Sequence, residues 1–583
     1  MKNFNFSTAL ICLAGIFISA CKVTDHNSAS GPSGKRIVHA DVVAIDQPIY
    51  YNRFGSVNPY GMVYALKRDI TVVKQGEEWL PGLSCPSEVR LLEGKRPRPL
   101  VLRGNAGDVL EITFTNKLMK VQPDISRCTL IDKHSPYAHL VDAKERIDPI
   151  DPPEHEAELR TDIGETQHLP PADWPKTRSA NLVIPGLVSL SGTDPRCNGL
   201  QSIDPGESVT CRWKLENEGT HLFSSHGAPA GGEGDGGSLT HGLFGVVIVE
   251  PENSKWYRSQ ITAAVLDKVW PRLKEDDIVR KGSLQYDASD SEGTPYLNML
   301  KPAGRDQSGS MRYELIYGDL NAVVREGKPE NPDAPAFREF TVVFHDELKT
   351  FYANNFQELA VSRQLSGVGD GFGINYGASG MGSILLANRK GIGPAAGCAE
   401  CFYEEFFLQS WANGDPALLE HFEDDPSNVA HSYLNDRVKF RNLHAGPKET
   451  HVFHLHAHQW LSSTDKNSGT YLDSQTIAPH QGFSYSIYDG GLSEWTGKGE
   501  NVHQTLGSGN RNRTVGDSIF HCHLYPHFAQ GMWGLWRVHD VIEDGTRTLP
   551  DGQPEAYFYG QPRVALSIEK TKIGGKRPGT DPV

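Results

Sequence analysis

The sequence predicts an all-β protein made of tandem Greek-key β-sandwiches, three in number. Runs such as AGDVLEITFTN (106–116) and NDRVKFRN (435–442) alternate polar with apolar residues, the period of half-buried strands. The chain carries 59 glycines and 37 prolines, which supply the turns that many short strands need. Four blocks also recur in the same order near its two ends. AGDVLEITFTN lies over NDRVKFRN (435–442), IDPGESVTCRW (203–213) over IAPHQGFSYSI (477–487), GTHLFSSH (219–226) over GDSIFHCH (516–523), and GLFGVVIV (242–249) over GMWGLWRV (531–538).

A chain of 583 residues exceeds what one hydrophobic core organises, so several domains are expected. Taken in order, residues 1–20 read as an export signal and 21–40 as a flexible tether. Residues 41–252 form a first sandwich with an irregular insertion at about 119–178. Residues 253–395 are expected to form a middle domain, because RYELIYGDL (312–320) and EFTVVFHDE look like strands although nothing there matches the repeat. Residues 396–545 make the last sandwich and 546–583 a wrapping tail. The formal net charge of -15, with no Lys/Arg-rich run, argues against nucleic acid as a partner.

The opening MKNFNFSTALICLAGIFISAC has one lysine before an apolar run too short to span a membrane, and it ends in small residues. Ile18-Ser19-Ala20-Cys21 resembles a bacterial lipobox, which implies cleavage before Cys21 and lipidation of its thiol. The alternative is an ordinary secretory signal with a chance cysteine. Lys22 after the cysteine points to the outer membrane, facing the periplasm or the cell surface. The membrane would then be a partner through the N-terminal lipid alone.

Export implies an oxidising compartment. Of nine cysteines, Cys12 lies in the signal and Cys21 is the candidate anchor, while Cys522 belongs to a motif described below. The six others, Cys85, Cys128, Cys197, Cys211, Cys398 and Cys401, can form three disulfides. Neighbour pairing is one of about 15 connectivities. CAEC (398–401) could instead be a redox motif.

The chemistry concentrates in IFHCHLYPHFAQGMW (519–533) and HVFHLHAHQW (451–460). In a strand His521 and His523 point to one side and Cys522 to the other, and His454 and His456 share a face. One cysteine, two histidines and a distant methionine are the ligands of a blue-copper site, and His451, Cys522, His527 and Met532 supply them. The alternatives are a zinc site or scattered core histidines. Zinc rarely uses methionine, and structural zinc prefers several thiolates.

HVFHLH together with HCHLYPHFAQGM resembles the carboxy-terminal copper motifs of the multicopper oxidases, which are built of cupredoxin domains. EGTHLFSSHG and HGLFGVVIVEP resemble the end of their first domain. The resemblance covers most of residues 100–540 and is weakest in the middle. It implies a type-1 copper that takes single electrons from a small molecule or metal ion. Cys522 and its neighbours His521 and His523 would relay them to a trinuclear copper cluster that reduces dioxygen to water.

Four His-x-His pairs hold that cluster in the family. His454 and His456 match the third pair, and His521 and His523 the fourth. The amino-terminal pairs are damaged, since Ser224 and Ser225 precede His226 where the second belongs. SANLVIPGL has no histidine where the first belongs. By family correspondence His226, His456 and His521 would hold one second copper, with His454 and His523 left for a further ion. His134, His139, His155 and His168 in the insertion, and His221 and His241, could fill gaps; His458 could support or simply pack.

No substrate pocket can be named. With 7 methionines there is no Met-rich segment, and the acidic run EHFEDDPSN (420–428) reads as either a cation-gathering loop or a solvated one. The expected function is a copper oxidoreductase that reduces dioxygen. The rivals are a nitrite-reductase-like enzyme with blue copper and one three-His copper, acting on a small oxyanion, and a copper-binding electron carrier without catalysis.

Overall fold

The structure, a computed structural model, describes residues 36–120, 128–135, 178–227, 237–274, 284–327, 336–352, 371–402, 429–462, 470–487 and 516–539, with short breaks, and the strands Tyr557–Phe558 and Gln561–Ala565. Cys12, Cys21, His139, His155, His168 and the acidic run 420–428 lie outside the described residues.

The architecture is all-β. At the centre of the first sandwich, Ile37–Asp46 runs parallel to Val109–Asn116, from Ile37↔Val109 to Ala44↔Asn116. Ser208–Lys214 pairs antiparallel on the far side of Val109–Asn116. The facing sheet orders Gly219–Ser224, Phe244–Glu250 and Leu100–Asn105. Alternation decides what faces the core: Val38, Ala40 and Val42 meet Leu110, Ile112 and Phe114 on the same side and Leu102, Phe223 and Val247 across it. Each large apolar side chain buried this way contributes about 1.5–3 kcal/mol.

The second sandwich faces two five-strand rows. One runs Lys255–Arg258, Ala322–Arg325, Ala336–His345, Val438–His444 and Gly482–Ile487; the other runs Ala430–Tyr433, Trp533–His539, Gly516–Cys522, His451–Leu455 and Ser474–Ile477. Phe340, Phe344, Phe440, Phe453, Phe520 and Trp536 fill the space between.

The expected third domain over 253–395 is not a separate sandwich among the described residues. The hairpin Leu300–Arg305/Met311–Leu315 extends the first sandwich's sheet, and Ala336–His345 pairs parallel with Val438–His444 in the second. The reason is visible in Ala336–His345, which is buried along nearly its whole length and therefore needs a neighbour on each edge and a cover on each face. A strand of the carboxy-terminal tail, Gln561–Ala565, pairs with Gln260–Thr262.

The two sandwiches share a second core. Val101, Val246 and Ile248, on the outer face of the first, pack with Val343 and Leu443 of the second. Four buried ionisable side chains cross the same boundary. Glu339 accepts from Arg103 at 3.0 Å and from Arg441 at 2.8 Å, and Arg441 also reaches Glu250 at 3.1 Å. The disulfides follow the neighbour pairing, Cys85–Cys128, Cys197–Cys211 and Cys398–Cys401, so CAEC is a closed bridge here.

Candidate metal centre

Two groups of ligand-type side chains lie on opposite faces of one strand. In Gly516–Cys522, Phe520 and Cys522 point into the sandwich, and Cys522 pairs with Phe453 of His451–Leu455. After Leu524 the chain enters a short helix, Tyr525–Gln530, with Pro526 in its first turn where the missing N–H costs nothing. Gly531, at φ 120°, turns the chain back. Met532 then donates its N–H to His527 O, and Cys522 donates its N–H to Met532 O, each at 3.1 Å. That fold returns Cys522, His527 and Met532 to one place, where the strand start delivers His451. The helix Met381–Lys390 braces it, and a Cβ at Gly382 would meet Gln530 at 2.7 Å.

The inward group is compact. Cys522 Sγ lies 3.5 Å from His527 Nδ1 and 3.9 Å from His451 Nδ1, and the two Nδ1 atoms are 3.0 Å apart. A trigonal ion with bonds of about 2.0–2.1 Å to nitrogen and about 2.3 Å to sulfur sets such donors about 3.5–3.8 Å apart; the two sulfur–nitrogen distances lie close to that spacing, and the two nitrogens must part by about half an ångström to admit the ion. Met532 is fully buried in the same core cluster. The Val452 N–H points at Sγ from 3.4 Å. Phe372 stacks on His527 with centroids 4.4 Å apart, and His444 stacks on His451 at 4.3 Å.

Electrostatics ready these nitrogens for a metal. Burial, then the neighbouring His444, His527 and His345, holds His451 far below the usual imidazole range, and burial also lowers His527. Both are neutral at pH 7, with a lone pair free for a cation. Burial pushes the Cys522 thiol up to about 11, so a metal must displace its proton.

The outward group forms on the other side. His454 pairs in register with His521, and His456 Nε2 lies 2.9 Å from His521 Nε2. His454 Nδ1 donates to Asp473 O or Ser474 Oγ, both at 2.9 Å, and His521 Nδ1 donates to Cys522 O at 2.7 Å. Each ring thereby keeps Nε2 for the group. His454, His456 and His521 present ligand atoms within 4.8 Å of one another. His523 joins at the edge, its ring 4.9 Å from that of His454. Burial and the surrounding histidines hold His521 down to about 4.

The trio expected from His226, His456 and His521 is not what the structure assembles, because His454 takes the place of His226. The physical reason is domain packing. Among the described residues the first sandwich packs against the row containing Val343 and Leu443. His226, exposed, ends up beside His480, whose ionisation it disfavours after burial, and its N–H donates to Asn181 Oδ1 at 2.8 Å. Ser224 and Ser225 are buried in the first sandwich.

Among the described residues, the other candidate histidines enter neither group. His134 is exposed, His221 Nδ1 faces Pro185 O at 3.3 Å and the buried His241 Nδ1 faces Tyr60 O at 3.2 Å. His458 donates from Nδ1 to His456 O at 2.9 Å and packs on Trp536, so it supports the strand that presents His454 and His456. Asp346, His444, Phe372, Asp473 and Ser474 escaped the sequence reading. His444 alone had a local signal, as the first histidine of HAGPKETH (444–451).

No family model matches the chain. A probable nitrite reductase-hydroxylamine oxidoreductase fusion protein of Kuenenia stuttgartiensis is 24% identical over 173 residues, 28% of this chain; the match spans 17% of that relative's length. Solved structures similar to it include a copper nitrite reductase from Nitrosomonas europaea, at 12% identity and a TM-score of 0.35, covering 87% of this chain and 95% of the other. A multicopper oxidase follows at 13% identity and a TM-score of 0.34, covering 88% and 92%. A blue copper oxidase from Nitrosomonas europaea has 11% identity and a TM-score of 0.33, covering 89% and 93%.

Proposed function

We propose that the chain is a copper-dependent oxidoreductase that reduces a small oxyanion, nitrite being the favoured one, with electrons received singly from a small-molecule or metal-ion donor. The observation that carries the reading is the placement of Cys522. Its side chain belongs to the inward group, while its chain neighbours His521 and His523 belong to the outward side. His451, Cys522, His527 and Met532 would hold a blue copper, and His454, His456 and His521 a second copper. When bound, these ions supply one-electron transfer and a Lewis-acidic position for the acceptor.

The chain's own residues set direction and capacity. Cys522 and His521 are consecutive, so one peptide unit joins the two centres. The outward group offers three ligand atoms close enough together to share one ion. Its exposed members His456 and His523 leave the acceptor open to solvent, which also delivers protons. A copper held by His451, Cys522, His527 and Met532 beside one further ion held by His454, His456 and His521 would suit a one-electron reaction: nitrite, one electron and two protons give nitric oxide and water. Dioxygen requires four electrons for two waters, which four coppers supply more readily than two. The leader read at 1–20, with Cys21 as lipid anchor, would place the reaction outside the cytoplasm, and three disulfides agree with an oxidising compartment.

Copper-loaded protein, desalted and tested anaerobically with a reduced dye, decides among the readings. Two coppers per chain, one of them blue, and nitrite-dependent dye oxidation lost in Cys522→Ser are expected. Four coppers with oxygen consumption would restore the dioxygen reading. Blue colour and redox cycling without turnover of either acceptor would leave an electron carrier.

A further inference from the structure

The segment between Val438–His444 and His451–Leu455 closes over a single carboxylate. Asp346, which follows Ala336–His345, is 1% exposed. Its Oδ2 accepts the Glu449 N–H at 2.8 Å, and its buried Oδ1 has no hydrogen-bond partner. A Cβ on residue 446 would stand 1.8 Å from that Oδ1, so only Gly446 lets the chain cross there. His444 is fixed at both ring nitrogens. Nδ1 accepts from the Gly446 N–H at 2.9 Å, and Nε2 donates to Glu449 O at 2.6 Å. With both nitrogens engaged it is no metal ligand, and its ring lies flat against that of His451.

His451 has the complementary defect. Nδ1 faces Cys522 and His527, while Nε2 is buried without a hydrogen-bond partner, 3.8 Å from Asp346 Oδ2. A neutral imidazole that binds a cation through Nδ1 must carry its proton on Nε2. A buried N–H with no acceptor costs about 1–3 kcal/mol. The carboxylate is about 1 Å beyond hydrogen-bond distance, a gap that a small turn of the ring closes.

We propose that Asp346 is the positioning residue of the inward centre: it accepts the Nε2–H of His451, fixes the tautomer that aims Nδ1 at the metal, and lends the site negative charge, with His444 as the backing plate. The inference rests on the copper reading of that centre. Outer partners of this kind orient ligating histidines and strengthen them as donors. A carboxylate so close stabilises the oxidised, more highly charged ion over the reduced one, and so lowers the reduction potential.

Two variants of the full chain test this. Asp346→Asn keeps the shape and an acceptor oxygen but loses the charge; Asp346→Ala loses both. Asp346→Asn should retain copper and titrate at a higher reduction potential. Asp346→Ala should bind Cu(II) about 10–100-fold more weakly in chelator competition, with an altered visible and EPR spectrum. Should the alanine variant fail to fold, the asparagine variant decides alone. Wild-type potential and spectrum in the variants, even with a lowered melting temperature, would reduce Asp346 to packing. A wild-type chain that takes up copper without a blue band would instead overturn the copper reading on which the inference stands.

Discussion

His456 and His521 face each other from neighbouring strands with their Nε2 atoms 2.9 Å apart. Both rings are depressed below the ordinary imidazole range, chiefly by burial, so both are neutral at pH 7. One nitrogen then donates and the other accepts, and a cation can replace the shared proton. His521 is nine-tenths buried and His456 exposed, so the pair is anchored on one side and open on the other.

Removing either partner should separate the two centres. His456→Ala should lose the non-blue copper, keep the blue band and its potential, and abolish nitrite turnover. Copper analysis with EPR reads the outcome; a variant that still holds two coppers would remove His456 from the ligand set.

Copper uptake should depend on pH with a definite sign. The Cys522 thiol, raised to about 11 by burial, must lose its proton to bind, whereas the histidines are already neutral. Apparent Cu(II) affinity at the inward centre should therefore climb about tenfold per pH unit above neutrality, one proton being released per ion. Competition with a chelator whose own proton dependence is known measures the slope. A flat profile would mean the thiolate is already formed.

The boundary between the sandwiches makes a stability prediction. Arg441 bonds Glu339 and Glu250 while 0% exposed. Arg441→Leu leaves two buried carboxylates with one guanidinium, and should cost about 3–5 kcal/mol. Denaturant unfolding would show it, and a loss below 1 kcal/mol would mean water or rearrangement compensates.

Acid should act first on the first sandwich. Burial alone would raise Glu111, but His39, Arg212 and Arg312 outweigh it and hold the carboxyl at about 2. A folded-state pKa below the unfolded one gives stability that is full above about pH 4.5 and drains away as pH falls toward 2. Glu111→Gln should flatten the acid-unfolding curve in that window by roughly 1–2 kcal/mol, allowing for solvent screening.

The strand pattern and the ligand motifs were readable because they are local. Cys522, His527 and Met532 sit within one turn-helix-turn, and the two-residue steps from His454 to His456 and from His521 to His523 state which side chains share a face. What could not be read was long-range. The place of His226 depends on which face of the second sandwich meets the first, and no local pattern encodes that. Asp346 lies more than a hundred residues from His451 in sequence and is an ordinary acidic residue until the loop closes over it. The strands of 253–395 looked like a domain of their own because each is a sound strand; only their partners show that they belong to three different sheets.

The central position of Ile37–Asp46 has a consequence for how the chain acquires its structure. This strand, among the first described, borders Val109–Asn116 on one edge; on the other, Met311–Leu315 pairs with Ile37–His39 and Met62–Leu66 with Val42–Asp46. Met311–Leu315 is synthesised more than 260 residues later, so that end of the sheet closes through pairings of very high sequence separation, which are slow to form. Until residue 314 is available, only the Ile37–His39 end of that edge lacks a neighbour, since Met62–Leu66 covers Val42–Asp46. One strand edge is thus completed in two stages, the first by a near neighbour in sequence and the second only after more than half of the chain exists.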